Sequence, residues 1–277
     1  MCRLSGRSII SMLDLSRDDI EYIFKTVDKI ENLHSDVKEK LLKGKCMLSM
    51  FFSPSTRTRI SFNIAMRRLG GFVIDFGGFE RSSMAKGETL EDSVRTLKEY
   101  DIDIIVVRHP KAGVPRKIAN LCSPIPVVNA GDGSNEHPTQ AILDLVTVKK
   151  EYGHIDGLTY TLVGDLLFHR VAHSLILALS NFNVDINLIS PKTLKMPSVF
   201  LEYARKRVKV KEMFEGHKLR EVIPETDVLY ILPFMPRLKD FYEFSQLIKS
   251  YEIACSEYRI TTEILYHYKD KIIVLHP

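Results

Sequence analysis

The sequence predicts an α/β protein built from two doubly wound domains, each a mostly parallel sheet flanked by helices. Two observations favour this fold class. Short apolar runs with the character of buried strands alternate with segments at helical spacing, which is the pattern of a parallel α/β sheet. The series starts again after a polar, glycine-punctuated stretch at residues 151–157, so we predict domains at 1–150 and 151–277.

The composition is that of a globular chain with a sizeable core. Of its 277 residues, 45% are hydrophobic and 27% are charged, and the net charge is +4. This mild positive excess suits a small anionic substrate and does not favour nucleic acid as a partner. There is no signal peptide and no run of transmembrane length, so we expect a cytoplasmic location and no membrane partner. The four cysteines share no short spacing, so we expect no metal site, and we predict no cofactor.

The first predicted element is a helix that begins with a capping box formed by Ser16 and Asp19. The apolar run Cys46–Phe52 then predicts a buried strand, within which Cys46 is a small core residue. Helical spacing of apolar residues starts again at Ile60 and ends at a pair of glycines.

Between this strand and this helix lies the polar stretch Ser-Thr-Arg-Thr-Arg, from Ser55 to Arg59. Hydroxyls, backbone N–H groups and guanidinium groups gather there at a helix N-terminus, where the helix dipole favours an anion. Arginine adds a planar fork that matches phosphate oxygens. Taken alone, the stretch is equally typical of a helix cap followed by solvated arginines. The segments further along the chain favour the anion site.

The other strands of the first half also lead into polar loops. Because parallel strands end at the same edge of a sheet, we expect these loops to converge with Ser55–Thr58 on one anion pocket. A helix capped by Thr89 and Asp92 separates the first two loops. The strand Phe72–Phe76 is followed by Ser83 and Lys86, and the strand Ile102–Val107 is followed by Arg108. The strand Pro126–Asn129 is followed by His137 and Gln140, with Pro138 between them as the first residue of a helix.

The second half repeats the alternation of strands and helices. Gly164 and Asp165 follow its first strand, which is a weak indication of a nucleotide site. Since the chain has no G-x-G-x-x-G, we do not predict dinucleotide binding. The predicted strands cover residues 159–163, 184–189, 208–210, 228–232 and 272–275, and a helix lies near 198–207.

Together these loops resemble the motifs of the aspartate/ornithine carbamoyltransferase superfamily, and its aspartate branch most closely. Five motifs occur in the family's order over much of the chain, which makes the resemblance specific. They are Phe51–Arg59 (family F-F-E-P-S-T-R-T-R), Ser83–Thr89 (S-x-x-K-G-E-T), Arg108–Pro110 (R-H-P), Gly131–Gln140 (G-D-G-S-N-x-H-P-T-Q) and Val163–Leu175 (V-G-D-L-x-x-x-R-x-x-H-S-L).

The resemblance implies a carbamoyl-phosphate domain followed by an amino-acid domain. It also implies a catalytic homotrimer with shared active sites, alone or with regulatory chains. The implied reaction, in pyrimidine biosynthesis, transfers the carbamoyl group of carbamoyl phosphate to the amine of L-aspartate and gives N-carbamoyl-L-aspartate and phosphate. The neutral amine attacks the carbonyl carbon and phosphate departs, so positioning and fixed positive charge suffice, without an enzyme nucleophile or a metal.

Carried over motif by motif, the resemblance implies roles for residues of the first domain. Arg57 would stabilise charge as the phosphate leaves, and His137 with Gln140 would orient and polarise the carbamoyl group. Ser83 and Lys86 would reach the active site of the neighbouring subunit. The implied catalytic residues are Arg57, Thr58, Lys86 and His137, and the implied carbamoyl-phosphate ligands are Ser55, Thr56, Arg57, Thr58, Ser83, Lys86, Arg108, His137 and Gln140.

The second domain departs from the family pattern. Lys86 and Arg170 would hold aspartate, but Pro233 and Met235 stand where the aspartate branch has an arginine and a glutamine for the carboxylates. Loss of a bidentate arginine weakens the binding of a dicarboxylate in an otherwise unchanged pocket. We name Arg237 as a candidate replacement. Further departures from the family are Ser53, Leu167, Phe168 and His169.

Three functions therefore remain open. The G-D-G-S-N-x-H-P-T-Q match favours transfer to L-aspartate, whereas Pro233 and Met235 favour a carbamoyltransferase for another amine. The third is a weakly active or non-catalytic family member that assembles with an active paralogue. It is favoured by the end of the chain at Pro277, where the family continues into a helix that returns to the first domain, so we expect the second domain to lack that helix.

Overall fold

The computed structural model describes residues 3–77, 83–234, 256–268 and 271–277. Contacts divide the chain into two compact units, residues 1–140 and 141–277. Each unit contains one parallel sheet flanked by helices, which confirms the predicted fold class. The division between the two units falls within the helix Pro138–Tyr152, and the predicted domain boundary after residue 150 stays a prediction.

The first unit is built on a four-stranded parallel sheet with the strand order β2-β1-β3-β4. In chain order the strands are β1 (Cys46–Phe51), β2 (Phe72–Asp75), β3 (Ile104–His109) and β4 (Val127–Asp132). The register places Phe51 beside Arg108 and, after a bulge, His109 beside Asp132. The carboxyl ends of β1, β3 and β4 therefore meet at one edge of the sheet, as the sequence predicts.

Helices pack on both faces of this sheet, α3 (Thr56–Arg68) on one and α4 (Leu90–Lys98) and α5 (Val114–Cys122) on the other. The first unit also contains α1 (Arg17–Glu31) and α2 (Ser35–Lys38), and α6 (Pro138–Tyr152) begins in it and continues in the second unit. Leu48 and Met50 of β1 share an apolar core with α4 and α5, whereas Met47 and Phe51 pack against Met66 of α3. Because successive strand residues point to opposite faces, β1 is buried on both sides and α3 is fixed on one of them.

Helix α3 ends before Gly70, which has a φ of +87°, in agreement with the predicted stop. Its apolar residues Ile60 and Ile64, however, are 47% and 45% exposed rather than buried. Phe72 and Ile74 of the edge strand β2, which α3 contacts, are 50% and 45% exposed. We call these four exposed side chains the apolar patch of the first unit.

The second unit is built on a five-stranded parallel sheet with the order β7-β6-β5-β8-β9. In chain order the strands are β5 (Thr159–Gly164), β6 (Asp185–Ile189), β7 (Lys209–Met213), β8 (Val228–Leu232) and β9 (Ile273–Leu275). The helices are α7 (Arg170–Leu179), α8 (Ser198–Arg205), α9 (Lys218–Val222) and α10 (Thr262–Leu265). Every residue of α7 after Arg170 is buried, so α7 belongs to the core of this unit.

Two cysteines of the first unit are core residues. Cys46 and Cys122 are buried free thiols in one apolar cluster, and burial raises the pKa of both. The prediction for Cys46 is therefore confirmed, while Cys2 and Cys255 lie outside the described residues. Among the helices that the structure describes, none is long and apolar enough to cross a membrane.

Candidate active site

The N-terminus of α3 lies directly after β1 and is left uncapped by its own N-cap side chain. Ser55 has an extended backbone, and its hydroxyl makes no capping hydrogen bond. By contrast, the hydroxyls of Ser16 and Thr89 cap α1 and α4 by accepting from Asp19 N and Asp92 N. The interpretation of this stretch as an ordinary helix cap is therefore wrong for Ser55. The first-turn N–H groups of α3 can serve an external anion.

The two arginines of the Thr-Arg-Thr-Arg segment differ in their surroundings. Arg59 Nη1 lies 3.5 Å from Asp75 Oδ2 on β2. Arg57 is exposed and, among the residues that the structure describes, has neither a hydrogen bond nor an ion pair. Arg57 sits in the first turn of α3 beside Thr56 and Thr58. Its guanidinium is thus available to an anion at that helix end.

Arg108 is a half-buried cation at the end of β3. Its Nη1 donates to Ala130 O at 3.3 Å, whereas its Nε is buried without a hydrogen-bond partner among the described residues. The same part of the chain offers it no carboxylate, and burial lowers the pKa of Arg108. Phe52 N donates to Arg108 O at 2.9 Å, which places the arginine beside the end of β1. A half-buried guanidinium whose Nε is buried without a partner and which has no carboxylate beside it is stabilised when an anion binds it.

The loop after β4 carries His137 and is held by a network of side chains. Asp132 Oδ1 accepts from Asn129 Nδ2 at 2.9 Å and from Glu136 N at 3.1 Å. His137 is 4% exposed, and its Nδ1 lies 3.2 Å from Thr139 Oγ1. Gln140 N donates to His137 O at 3.1 Å in the first turn of α6. His137 and Gln140 therefore lie together at the end of β4, where the sequence predicts them.

His109, next to Arg108, is a packing residue. Its ring lies 5.2 Å from that of Phe52, and its Nδ1 accepts from Lys111 N at 3.0 Å. Burial lowers the pKa of His109, which favours the neutral ring. The imidazole thus supports the turn after β3 without adding positive charge to the edge.

Ser83 and Lys86 lie apart from this group. They lie on an exposed 3₁₀ turn, Ser83–Lys86, that precedes α4. Lys86 makes no ion pair with any residue that the structure describes, and the turn packs beside α4. The structure therefore brings together the residues predicted on β1, β3 and β4, and it leaves Ser83 and Lys86 at the surface.

Of the residues predicted to bind the amino-acid substrate, Arg170 lies in the second unit. Arg170 is the first residue of α7, and the preceding loop is held by Asp165, whose carboxylate accepts from Leu167 N and Phe168 N at 3.0 and 2.9 Å. His169 Nε2 donates to Pro233 O at 3.1 Å and so links this loop to the end of β8. Met235 and Arg237 lie outside the described residues.

Glu136 is a buried residue of this region that the sequence analysis does not single out. It is 4% exposed and accepts hydrogen bonds from Ser11 and Met12 near the start of the chain. The sequence does contain one sign of this arrangement, because Ser11 and Asp14 match an S-x-x-D capping box, and the structure contains both of its hydrogen bonds. The bond from Ser11 to Glu136, however, joins residues far apart in the sequence and cannot be predicted from local spacing.

The two parallel sheets and the edge of hydroxyl, guanidinium and imidazole groups define a two-domain α/β transferase. Residues 7–150 match the family model "Aspartate/ornithine carbamoyltransferase, carbamoyl-P binding domain", and residues 156–277 match "Aspartate/ornithine carbamoyltransferase, Asp/Orn binding domain". The chain belongs to the aspartate/ornithine carbamoyltransferase family.

Individual relatives are similar over nearly the whole chain. The chain is 45% identical to the aspartate carbamoyltransferase catalytic subunit of Archaeoglobus fulgidus over 98% of its own length and 86% of that protein. Its identity to the catalytic subunit of Thermococcus gammatolerans is 43%, over 99% and 86% of the two chains. The Trypanosoma cruzi aspartate transcarbamoylase in complex with N-(phosphonacetyl)-L-aspartic acid superposes with a TM-score of 0.89 at 35% identity, covering 100% and 86% of the chains. The catalytic subunit of M. jannaschii aspartate transcarbamoylase gives 0.83 at 39%, covering 98% and 85%.

Proposed function

We propose that the protein transfers the carbamoyl group of carbamoyl phosphate to the α-amine of L-aspartate, giving N-carbamoyl-L-aspartate and phosphate. The observation that carries this proposal is Arg108, whose buried Nε has no partner and which has no carboxylate beside it among the described residues, at the end of β1 that leads into the uncapped N-terminus of α3. Together they offer a dianionic phosphate a cation, a hydroxyl and unpaired amides at one edge. The relatives named above carry the corresponding activity in their names.

In this proposal the phosphate lies at the N-terminus of α3. Ser55, Thr56 and Thr58 donate hydroxyl or backbone hydrogens to its oxygens. The guanidinium groups of Arg57 and Arg108 supply the charge that stabilises the departing phosphate. These donors are fixed before the reaction starts, so they stabilise developing charge without a cost of reorganisation.

His137 and Gln140 orient the carbamoyl group in the same proposal. The amine nitrogen forms a bond to the carbonyl carbon, the bond from that carbon to the phosphate oxygen breaks, and the proton that the amine loses passes to the departing phosphate. His137 is held in place by its buried loop, which suits a group that polarises the carbonyl oxygen. Neither the enzyme nor a metal forms a covalent bond to the substrate in this scheme.

A second candidate is transfer to an amine other than aspartate, and one contact favours it. At position 233 the chain presents a proline whose carbonyl accepts the His169 hydrogen bond at 3.1 Å. That position therefore offers no cationic side chain to a second carboxylate. Arg170, at the start of α7, remains the proposed carboxylate ligand, with Lys86 from a neighbouring subunit and with Arg237 as a further candidate.

We also propose a homotrimer with shared sites. The apolar patch of the first unit, with residues 45–50% exposed, lies on an edge strand and its helix, and burial between subunits would remove it from water. The exposed turn with Ser83 and Lys86 would then reach a neighbour. Because the relatives are named catalytic subunits, we include additional regulatory chains in the proposal. The proposed location is the cytoplasm, which cell fractionation would check.

The test is product formation by the purified chain with carbamoyl phosphate and L-aspartate, L-ornithine or no amine. We expect a ureido product with L-aspartate and none without an amine, with Arg57→Ala as the control for contaminating enzyme. No product from L-aspartate would contradict the proposal. Product from another amine alone would establish the second candidate instead.

A further inference from the structure

The segment before α1 forms an additional edge of the first sheet. We call residues 7–16 the N-terminal strap. Ile9 N donates to Val127 O at 2.9 Å, and Asn129 N donates to Ile9 O at 2.9 Å, so the strap pairs with β4. Asn129 Nδ2 adds a bond of 2.9 Å to Ile10 O. The strap is therefore held along the strand that leads into the His137 loop.

The carboxylate of Glu136, in the His137 loop, forms two hydrogen bonds to the strap. Glu136 Oε1 accepts from Ser11 Oγ at 2.5 Å, and Glu136 Oε2 accepts from Met12 N at 2.9 Å. Glu136 and Met12 are 4% and 1% exposed, so the Met12 bond is shielded from water, while the Ser11 bond is partly buried. Met12 starts a 3₁₀ turn, whose N-terminal donors favour a carboxylate. Removal of the carboxylate would leave a buried N–H without an acceptor, which is costly.

The backbone of Glu136 is fixed from the opposite side. Glu136 N donates to Asp132 Oδ1 at 3.1 Å, and Asp132 N donates to Glu136 O at 3.1 Å. The residue is thus bound by its side chain to the strap and by its main chain to the end of β4. His137 is the next residue, so its Cα position follows directly from this double anchor.

We propose that Glu136 is a positioning residue that sets the His137 imidazole through its two hydrogen bonds to the strap. The inference rests on the proposed function, in which His137 polarises the carbamoyl group. Glu136 touches neither substrate nor the reacting atoms and acts only through the loop. A misplacement of about 1 Å in a catalytic group can lower a rate by about 10²-fold. The loss of the anchor should therefore appear in catalysis as well as in stability.

The matched control is Asp19 on α1. Asp19 is also a buried carboxylate, 3% exposed, that holds the start of the chain, because it accepts from Arg3 Nε at 2.6 Å and Arg7 Nη1 at 3.2 Å. Asp19 binds Arg3 and the two ends of the strap, Arg7 and Ser16, whereas Ser11 and Met12 in the middle of the strap bind Glu136. Asp19→Ala should therefore loosen the ends of the strap and leave its two hydrogen bonds to Glu136, and with them His137, in place.

The experiment compares Glu136→Ala, Glu136→Gln and Asp19→Ala in the full chain by thermal unfolding and by kcat/KM for carbamoyl phosphate. We expect both alanine variants to lower Tm, but only Glu136→Ala to lower kcat/KM, by about 10- to 100-fold. Glutamine can accept from Met12 N and donate to Ser11 Oγ, so Glu136→Gln should restore most of the rate. Equal kinetics for the two alanine variants, or no rescue by glutamine, would overturn the proposal.

Hydrogen exchange separates this proposal from the proposed function. The amide of residue 136 donates to Asp132 Oδ1, and the amide of Gln140 donates to His137 O. Both amides should exchange faster in Glu136→Ala than in the wild type, and their exchange rates in Asp19→Ala should equal those of the wild type. If the wild type forms no product, the proposed function fails, while this comparison still tests the anchor.

If Glu136→Ala does not fold, Ser11→Ala removes one of the two hydrogen bonds to Glu136 and should give a smaller increase in the exchange of the same amides. Unchanged exchange of both amides would refute the anchor.

Discussion

Arg108 illustrates at the scale of one residue how a local cost indicates a binding site. Its buried Nε lacks a partner in the described part of the chain, and burial lowers its pKa. A fold that needed only packing would place an apolar side chain there, since an uncompensated buried charge destabilises the folded state. This cost is the reason for the proposal that an anion binds Arg108 beside the N-terminus of α3.

Arg108→Met tests this explanation. The KM for carbamoyl phosphate should rise by about 100-fold, because a buried charge-assisted contact worth about 3 kcal/mol is lost. Tm should stay level or rise, since methionine fills the space without a buried charge. Steady-state kinetics and thermal unfolding measure both effects. Arg116→Met, which removes an exposed arginine paired with Asp14, is the control and should leave KM unchanged. An unchanged KM in Arg108→Met would contradict a phosphate role.

The residue types of the site could be predicted from the sequence, but their surroundings could not. Arg57 and Arg59 look alike in a Thr-Arg-Thr-Arg run, and only the structure shows that Asp75 of β2 engages the second of them. Likewise, Ser55 has the residue type of a helix cap and yet makes no capping bond. Such differences depend on neighbours that are distant in sequence, so they cannot be predicted from the local spacing of residues.

At the scale of elements, α1 is tied to the start of the chain by Asp19. Burial alone would raise the pKa of this carboxyl, but hydrogen bonds from Arg3 and from Ser16 outweigh it and hold the pKa well below its usual range. Because the folded-state pKa is below the unfolded one, the carboxylate contributes stability above the unfolded pKa. This contribution is lost as the pH falls towards the folded pKa.

The prediction for this element concerns acid denaturation. Wild type should be more stable than Asp19→Ala at pH 7, and the difference in unfolding free energy should shrink as pH falls below about 4. Urea unfolding at a series of pH values measures it. A difference that is constant from pH 7 to pH 2.5 would show that the ionised carboxylate is not responsible.

Element types were more predictable than element boundaries. The capping box at α1, the N-cap Thr89 at α4 and the proline at the start of α6 confirm the predicted helix starts, because these signals lie within a few residues of the helix. Helix α5 is absent from the predicted elements, although Val114, Ile118 and Cys122 recur at a spacing of four. Strand β3 was predicted to end at Val107 but runs on to His109, because β4 continues to pair beyond a bulge.

At the scale of the whole molecule, the proposed trimer links the exposed turn at Ser83–Lys86 to a neighbour's anion site. The apolar patch gives a physical reason for assembly, since four large apolar side chains are about half exposed in the single chain. Helical spacing alone predicts that Ile60 and Ile64 are apolar positions. It cannot distinguish a core contact within the chain from a contact between chains.

Mixed trimers test this sharing. Inactive Arg57→Ala and Lys86→Ala chains, dissociated and reassembled in equal amounts, should regain roughly one quarter of wild-type activity, because some sites then combine an intact Arg57 with an intact Lys86. Sedimentation should give a mass near three times 31.8 kDa. If mixing restores no activity while wild-type chains recover after the same treatment, Lys86 does not act across subunits.

The most direct test of whether the exposed guanidinium of Arg57 promotes phosphate departure is the turnover number of Arg57→Ala beside that of Arg59→Ala. The two arginines share one helix turn, but only Arg59 has an ion-pair partner, Asp75, in the described structure. We predict that Arg57→Ala folds like wild type and loses about 10²–10³-fold in kcat, while Arg59→Ala stays close to wild type. Near-normal turnover by Arg57→Ala would contradict the account.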